Sequence, residues 1–304
     1  MGNRFVKPEE TFEISQFRNV IKKCKKPFIQ SIRREYQENS DYPFDAKFMC
    51  KIDAYFRFIW NSYFSSPVER ILHSGAFILD LRCGTGTFLL DLCTKYQNSN
   101  FVGIDHRDAY FPRDLAKNLK NVKFIKHDIL GGIPYENNTF DFIYMRFTMK
   151  YFTEAEWKTI IIPEIVRVCK HGGWIEIVDT DLNIYNAGPC TESFHRKCIN
   201  KFGLNYGVEL DRLQDIMNIY KNLGITIIKE KINPWYPIQL QKSNKSFEMA
   251  AEFLNFLYPL MSNELRLNRK DYENLSRHII KEIAENKTYS PRYNNYFIYL
   301  RVLS

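Results

Sequence analysis

The chain has 304 residues with a formal charge of +8, and 45% of them are hydrophobic, enough for one large domain or two small ones around a sizeable core. Its seven cysteines (24, 50, 83, 93, 169, 190 and 198) are odd in number and include no CxxC pair. That argues against a disulfide framework or a zinc site and for reduced thiols in an intracellular compartment, so no metal ligand set is expected. No apolar run approaches the roughly 18 residues of a transmembrane helix, and MGNRFVKPEE lacks the apolar core of a signal peptide. The expected location is the cytoplasm, with the nucleus left open.

Residues 1–41 read as a basic, partly disordered leader. Residues 1–40 hold nine Lys/Arg against five Glu, a net of +4, which is half the excess charge of the chain. Lys22-Lys23-Cys24-Lys25-Lys26 suits nucleic acid, an anionic membrane or plain solvent; no repeated aromatic–basic pattern accompanies it, which favours the solvated tail. A protein partner at the leader or at the helical cap is left open. Gly2 invites myristoylation, but Val6 stands where Ser or Thr is wanted. Residues 45–72 carry Phe48, Ile52, Tyr55, Phe56, Ile59 and Tyr63 near helical spacing and are expected to form N-terminal cap helices over 42–72.

The stretch Ala76–Leu92, AFILDLRCGTGTFLLDL, is strand, glycine turn and helix. Ala76-Phe77-Ile78-Leu79 is the apolar run of a strand buried on both faces, and Asp80 follows it. Gly84 and Gly86 make the turn, and Phe88, Leu89 and Leu92 resume at helical spacing. This is the first unit of a doubly wound nucleotide-binding sheet. Phe101 to Asp105 reads as a second strand. Asp105 lies 19 residues after Gly86, near the interval of about 20 at which a carboxylate meets ribose hydroxyls; a capping or loop Asp is the competing reading. Asn121–Ile129 reads as a third strand ending at Asp128, which is otherwise a turn residue. Asn-rich residues 132–139 lead to a fourth strand over 140–145, with Met145 and Arg146 at its C-terminal end.

Thr153-Glu154-Ala155-Glu156 is a capping box opening a helix that runs to about Lys170, kinked or divided at Pro163 and ended by His171-Gly172-Gly173. Trp174–Val178 is the fifth strand. Residues 190–222 read as one or two helices, 225–229 as a sixth strand ended by Asn233-Pro234, 246–262 and 270–285 as amphipathic helices, and 293–302 as a seventh strand.

Asp80-Leu81-Arg82-Cys83-Gly84-Thr85-Gly86 resembles motif I of the class I S-adenosylmethionine-dependent methyltransferases. The dehydrogenase fingerprint would need a third glycine where Leu89 stands. Residues 132–147, GIPYENNTFDFIYMRF, and 169–191, CKHGGWIEIVDTDLNIYNAGPCT, resemble the fungal-type methyltransferases related to secondary-metabolism regulators. The resemblance implies an α/β fold with a doubly wound, seven-stranded, mostly parallel sheet. It implies a core over 73–238, a helical insertion over 239–288 and a closing strand over 289–304, with the inserted helices and the N-terminal helix covering the active site. It also implies S-adenosyl-L-methionine as cofactor, held by Asp80, Arg82, Cys83, Gly84, Thr85 and Gly86 of the first turn and by Asp105 on the ribose. His106 would stack on the adenine, Asp128 and the Ile129 backbone N–H would serve its edge, and Arg146 would hold the cofactor, an acidic substrate group or a structural ion pair. Asp179, Asp181 and Tyr185 would face the substrate.

The implied reaction is in-line displacement at the sulfonium methyl, toward a small-molecule or protein acceptor that the sequence does not name. Tyr151, Tyr185, His106 and His195 are candidate bases, and no catalytic residue is assigned. The chain departs from the family at Arg82, where a glycine is usual; a long cation there either crowds the methionine end of the cofactor or pairs with its carboxylate. It also motivates a second reading, a non-catalytic regulatory or binding protein on the same fold.

Overall fold

The computed structural model describes residues 63–108, 111–148, 151–180, 183–203, 218–220, 227–235, 245–285, 289 and 291–302. The leader, the expected helical stretch up to residue 62, Asp181 and the expected helices over 204–217 lie outside these residues.

Among the described residues seven strands form one sheet: β1 (Phe77–Leu81), β2 (Asn100–Asp105), β3 (Val122–Lys126), β4 (Phe140–Arg146), β5 (Cys169–Thr180), β6 (Ile227–Trp235) and β7 (Tyr293–Arg301). Their order is β3-β2-β1-β4-β5-β7-β6. The five strands from β3 to β5 are parallel to their neighbours, and β7 runs antiparallel to both β5 and β6. The chain winds from β1 outward to β3, then returns to add β4 and β5 on the other side. The crevice between the C-terminal ends of β1 and β4 is therefore the topological switch point, where open α/β sheets place their ligands.

Alternate residues of the central strands feed two different cores. Leu79, Leu81, Ile143 and Met145 pack with Trp157, Ile161, Ile162 and Ile165 on one face. Ile78, Phe142 and Tyr144 pack with Phe88, Leu89 and Leu92 on the other. Both faces are covered, which is why these strands read as continuous apolar runs. The second layer includes α1 (Glu69–Ser74) and α2 (Thr87–Lys95), whose buried Phe88, Leu89, Leu92 and Cys93 form a stripe at helical spacing.

The capping box at Thr153 forms as expected: Thr153 Oγ1 accepts from the Glu156 N–H at 3.2 Å, and Glu156 Oε2 accepts from the Thr153 N–H at 2.7 Å. Pro163 divides the helix. It lacks an N–H for the preceding turn, and a π-helical turn, Trp157–Ile161, precedes α3 (Ile162–Val168). The helix ends at Val168 rather than near Lys170, because Cys169 is extended and pairs with Phe140. Gly172, at φ +75°, makes its left-handed turn inside the span of β5, where the register slips between Phe140–Cys169 and Phe142–Trp174.

Three further expectations are corrected. β3 stops at Lys126, and Ile129–Gly131 is a short 3₁₀ turn, not strand. β6 runs on through Pro234 instead of ending before it; as the outermost strand it has a side that needs no donor there. Residues 63–68 are not helix. They are bent, and the cause is Glu176 on β5, fully buried, whose carboxylate accepts from the backbone N–H groups of Ser65 (2.7 Å) and Ser66 (2.7 Å) and from the Ser66 hydroxyl (2.5 Å).

A third core joins α4 (Pro189–Gly203), α5 (Lys245–Leu265) and α6 (Arg269–Glu285) through Phe194, Leu254, Leu257, Met261, Tyr272 and Ile279. α5 and α6 lie between β6 and β7 in the chain. Glu282 of α6 caps α4 across this core, accepting from the N–H groups of Cys190 (2.9 Å) and Thr191 (2.8 Å) and from the Thr191 hydroxyl (2.6 Å). The five described cysteines are free thiols. Burial pushes Cys93 up to about 11 and Cys169 and Cys198 up to about 12, so none of these three supplies a thiolate near neutrality.

Candidate functional site

Asp80, buried, is the penultimate residue of β1, opposite Gly103 of β2 and Tyr144 of β4. After Leu81 the backbone turns sharply through Arg82 at φ +57°, a left-handed conformation uncommon for a residue with a side chain. The Cys83 N–H then donates to the Ile104 carbonyl at 3.1 Å and its side chain is buried, strapping the turn to β2. Gly84 and Gly86 are also left-handed, at φ +56° and +64°, and they do different work. A Cβ on Gly84 would meet nothing within 4 Å, whereas a Cβ on Gly86 would stand 2.2 Å from Cε1 of Phe124. Gly84 thus opens onto a cradle, and Gly86 is where the turn presses on the neighbouring strand. Thr85, buried, brings its hydroxyl 3.3 Å from that of Thr87 at the start of α2.

Asp105 closes the floor of this turn from the end of β2. Its Oδ2 accepts from the Gly84 N–H at 3.0 Å, and its Oδ1 accepts from the Arg107 N–H at 3.1 Å and lies 3.0 Å from His106 Nδ1. Burial alone would raise its pKa. The His106 bond, the positive charge of Arg82 and the two backbone donors outweigh that, and the carboxyl is held below the ordinary Asp value. Arg107 Nε donates to His106 Nε2 at 3.0 Å. His106 thus bridges the Asp105 carboxylate and the Arg107 side chain.

Asp128 is exposed and caps the 3₁₀ turn Ile129–Gly131, its Oδ1 accepting from the Leu130 N–H at 3.0 Å. Ile129 is buried in the core. Arg146, the last residue of β4, holds its guanidinium carbon 5.8 Å from the centroid of the Phe88 ring and 5.7 Å from that of Phe147. Phe88 in turn stacks on Tyr144, with centroids 4.4 Å apart.

The other wall of the crevice follows β4. Phe147 is left-handed at φ +53°, and Thr148 is fully buried with a hydroxyl that meets no hydrogen-bond partner among the described residues. The Thr148 carbonyl accepts from the Tyr151 N–H at 3.1 Å. Over the Tyr151 ring lies the guanidinium of Arg82, its central carbon 3.9 Å from the centroid, with the Phe152 ring at 5.4 Å. This contact joins the end of β1 to the segment after β4 across the switch point.

The structure therefore gathers Arg82, Cys83, Gly84, Asp105 and His106 around one turn, where Gly84 and His106 bond Asp105, Cys83 bonds Ile104 and Arg82 acts on Asp105 through its charge. Tyr151 joins them as the ring under Arg82. Tyr185 pairs its backbone with Arg292 beside the start of β7, and His195 is on α4. Asp179 is buried near the end of β5 opposite Tyr296. Sequence reasoning did not single out Thr148 or Glu176. A buried hydroxyl and a buried carboxylate leave no periodic signal; only their surroundings distinguish them.

With this geometry in view, the comparisons with known proteins are consistent in direction. A family model described as a methyltransferase domain matches residues 78–173, which run from β1 into β5. The sterol 24-C-methyltransferase erg6 of Schizosaccharomyces pombe is 27% identical over 168 residues, 51% of this chain and 41% of that protein. A tRNA (guanine-N(7)-)-methyltransferase of Buchnera aphidicola is 30% identical over 167 residues, 50% of this chain and 62% of that protein. The secondary metabolism regulator LAE1 of Cochliobolus heterostrophus is 25% identical over 145 residues, 46% of each chain. The matched region thus spans between 41% and 62% of the length of these curated relatives.

Proposed function

We propose that this chain, whose residues 78–173 match a methyltransferase domain model, transfers the methyl group of S-adenosylmethionine to a small-molecule or protein acceptor. The observation that carries the reading is the 3.0 Å bond from the Gly84 N–H to Asp105 Oδ2, beside a glycine that opens onto empty space. It ties a cradle for a ligand's backbone to a carboxylate kept ionised, at the switch point of the sheet. The buried Thr148 hydroxyl adds a polar group suited to a ligand.

In this reading Asp105 takes the ribose hydroxyls, Asp128 and the Ile129 N–H take the adenine edge, and His106 flanks the ring. Asp80, Arg82, Cys83, Thr85 and Gly86 form the floor under the methionine end, with Arg146 at the rim. The cofactor supplies an electrophilic methyl on a sulfonium. The chain supplies orientation and a dry wall, the Phe88–Tyr144 stack among its members.

Binding requires one rearrangement. A carboxylate offers about four lone-pair directions, and three internal donors already use them, two on Oδ1 and one on Oδ2. A ribose diol gripped by both oxygens needs one direction on each, so His106 releases Oδ1 as the ligand arrives. Its side chain is 38% exposed and stands at the rim. Because the Asp105 pKa is depressed before the ligand arrives, the carboxylate that meets it is ionised at pH values above the ordinary carboxylate range. Acceptor choice we assign to α4, α5 and α6, which lie outside the matched region.

Calorimetric titration with S-adenosylmethionine and S-adenosylhomocysteine tests the reading. Micromolar binding, weakened at least about tenfold in Asp105→Ala by loss of a charged hydrogen-bond acceptor, supports it. A folded chain that binds neither ligand sinks it. Binding without transfer of labelled methyl to any acceptor in a broad screen favours the regulatory reading.

A further inference from the structure

The Arg82 guanidinium is placed as a receptor. Its central carbon lies over the Tyr151 ring, 3.9 Å from the centroid, a cation–π contact that holds the charged head in place. The N–H donors of a guanidinium form a planar fork matched to a carboxylate. No side-chain hydrogen bond joins Arg82 to another described residue, and its neighbours are the two rings and the charge of Asp105. A half-buried cation held by an aromatic ring, with its N–H donors not used by a described residue, is suited to an anion brought by a ligand. The backbone supports the same view, since φ +57° at a residue with a side chain costs energy that persists where the surroundings require it.

The location selects the anion. Arg82 stands two residues before Gly84, on the turn over which a ligand passes if its ribose rests on Asp105. From the ribose, that path leads away from β2 toward the crevice between β1 and β4, where Tyr151 and the Thr148 hydroxyl lie. An S-adenosyl ligand carries one anionic group at that end, its α-carboxylate.

Resting on the cofactor reading above, we propose that Arg82 receives the α-carboxylate of the amino-acid tail and makes this carboxylate the feature by which the chain selects its S-adenosyl ligand. Arg82 then does not crowd the site; it replaces a glycine's open space with a charged contact, held by Tyr151.

The test compares S-adenosylmethionine with decarboxylated S-adenosylmethionine, which lacks only the carboxylate, by calorimetric titration of the full chain and of Arg82→Gln and Arg82→Lys. The wild type is expected to favour the intact cofactor at least about tenfold. Arg82→Gln should bring the ratio to within about twofold of one, with the intact cofactor weakened, and measurable binding of the decarboxylated ligand by that variant reports a folded adenosine site. Arg82→Lys, with charge but no fork, should retain part of the preference. An unchanged ratio in Arg82→Gln, or tighter binding of the intact cofactor by that variant, overturns the proposal while leaving the cofactor reading in place. Failure of the folded wild type to bind either ligand overturns both.

Discussion

Two glycines two residues apart set the residue-scale lesson. Gly84 and Gly86 share a left-handed backbone, so an alanine at either is strained. Their surroundings differ: nothing within 4 Å of the added carbon at Gly84, and an aromatic atom at 2.2 Å at Gly86. Gly84→Ala should therefore cost roughly 1–2 kcal/mol of stability, the strain alone, and yield a folded protein with impaired cofactor binding. Gly86→Ala adds overpacking against Phe124 and should cost about 2–4 kcal/mol. Chemical denaturation of both variants, alongside ligand titration, checks the contrast. Equal losses of stability would mean that the two positions do not divide the work between cradle and packing.

At the scale of elements, Glu176 explains why the chain before α1 is not helical. A helix through Ser65 and Ser66 would leave a fully buried carboxylate without donors, and Pro67 already resists the helix. Glu176→Gln halves the acceptor capacity facing Ser65 and Ser66 and should destabilise by about 1–3 kcal/mol. Burial is the largest influence on Glu176 and raises its pKa above the usual 4.5, against the donors from Ser65 and Ser66. Between pH about 4.5 and the raised folded value, the folded chain therefore keeps a proton that the unfolded chain has released, and above that value the buried carboxylate is charged. The contribution to stability is whole below pH about 4.5 and declines as pH rises through the folded value. Denaturation midpoints measured from pH 4 upward should carry this decline in the wild type and lose it in Glu176→Gln; identical pH profiles would remove Glu176 as the titrating group.

For the whole molecule, a ligand at the switch point contacts strands from both windings and binds only the assembled sheet. S-adenosylhomocysteine at 100 times its dissociation constant should stabilise the fold by about 2.7 kcal/mol, read as a raised melting temperature. The rise should shrink in Asp105→Ala. A rise of the same size in that variant would place the ligand away from Asp105.

Much of this architecture is written locally. The run from Phe77 to Lys95, the acid at 105, the Thr153–Glu156 cap and the closing strand depend on partners within a few residues or on a simple period, so they are legible in the chain. The parallel core, the glycine turn and the carboxylate that faces it are legible from the order of residues alone. Tertiary structure alone decided the contacts whose partners are far apart: Ser66 on Glu176, Thr191 on Glu282, Gly86 against Phe124 and Arg82 on Tyr151. It also decided that Pro234 sits in a strand, because only the sheet order makes that strand an edge. Periodicity reports which face of an element is buried. It carries no record of which distant residue arrives there, and that choice is made only when the strands have taken their order.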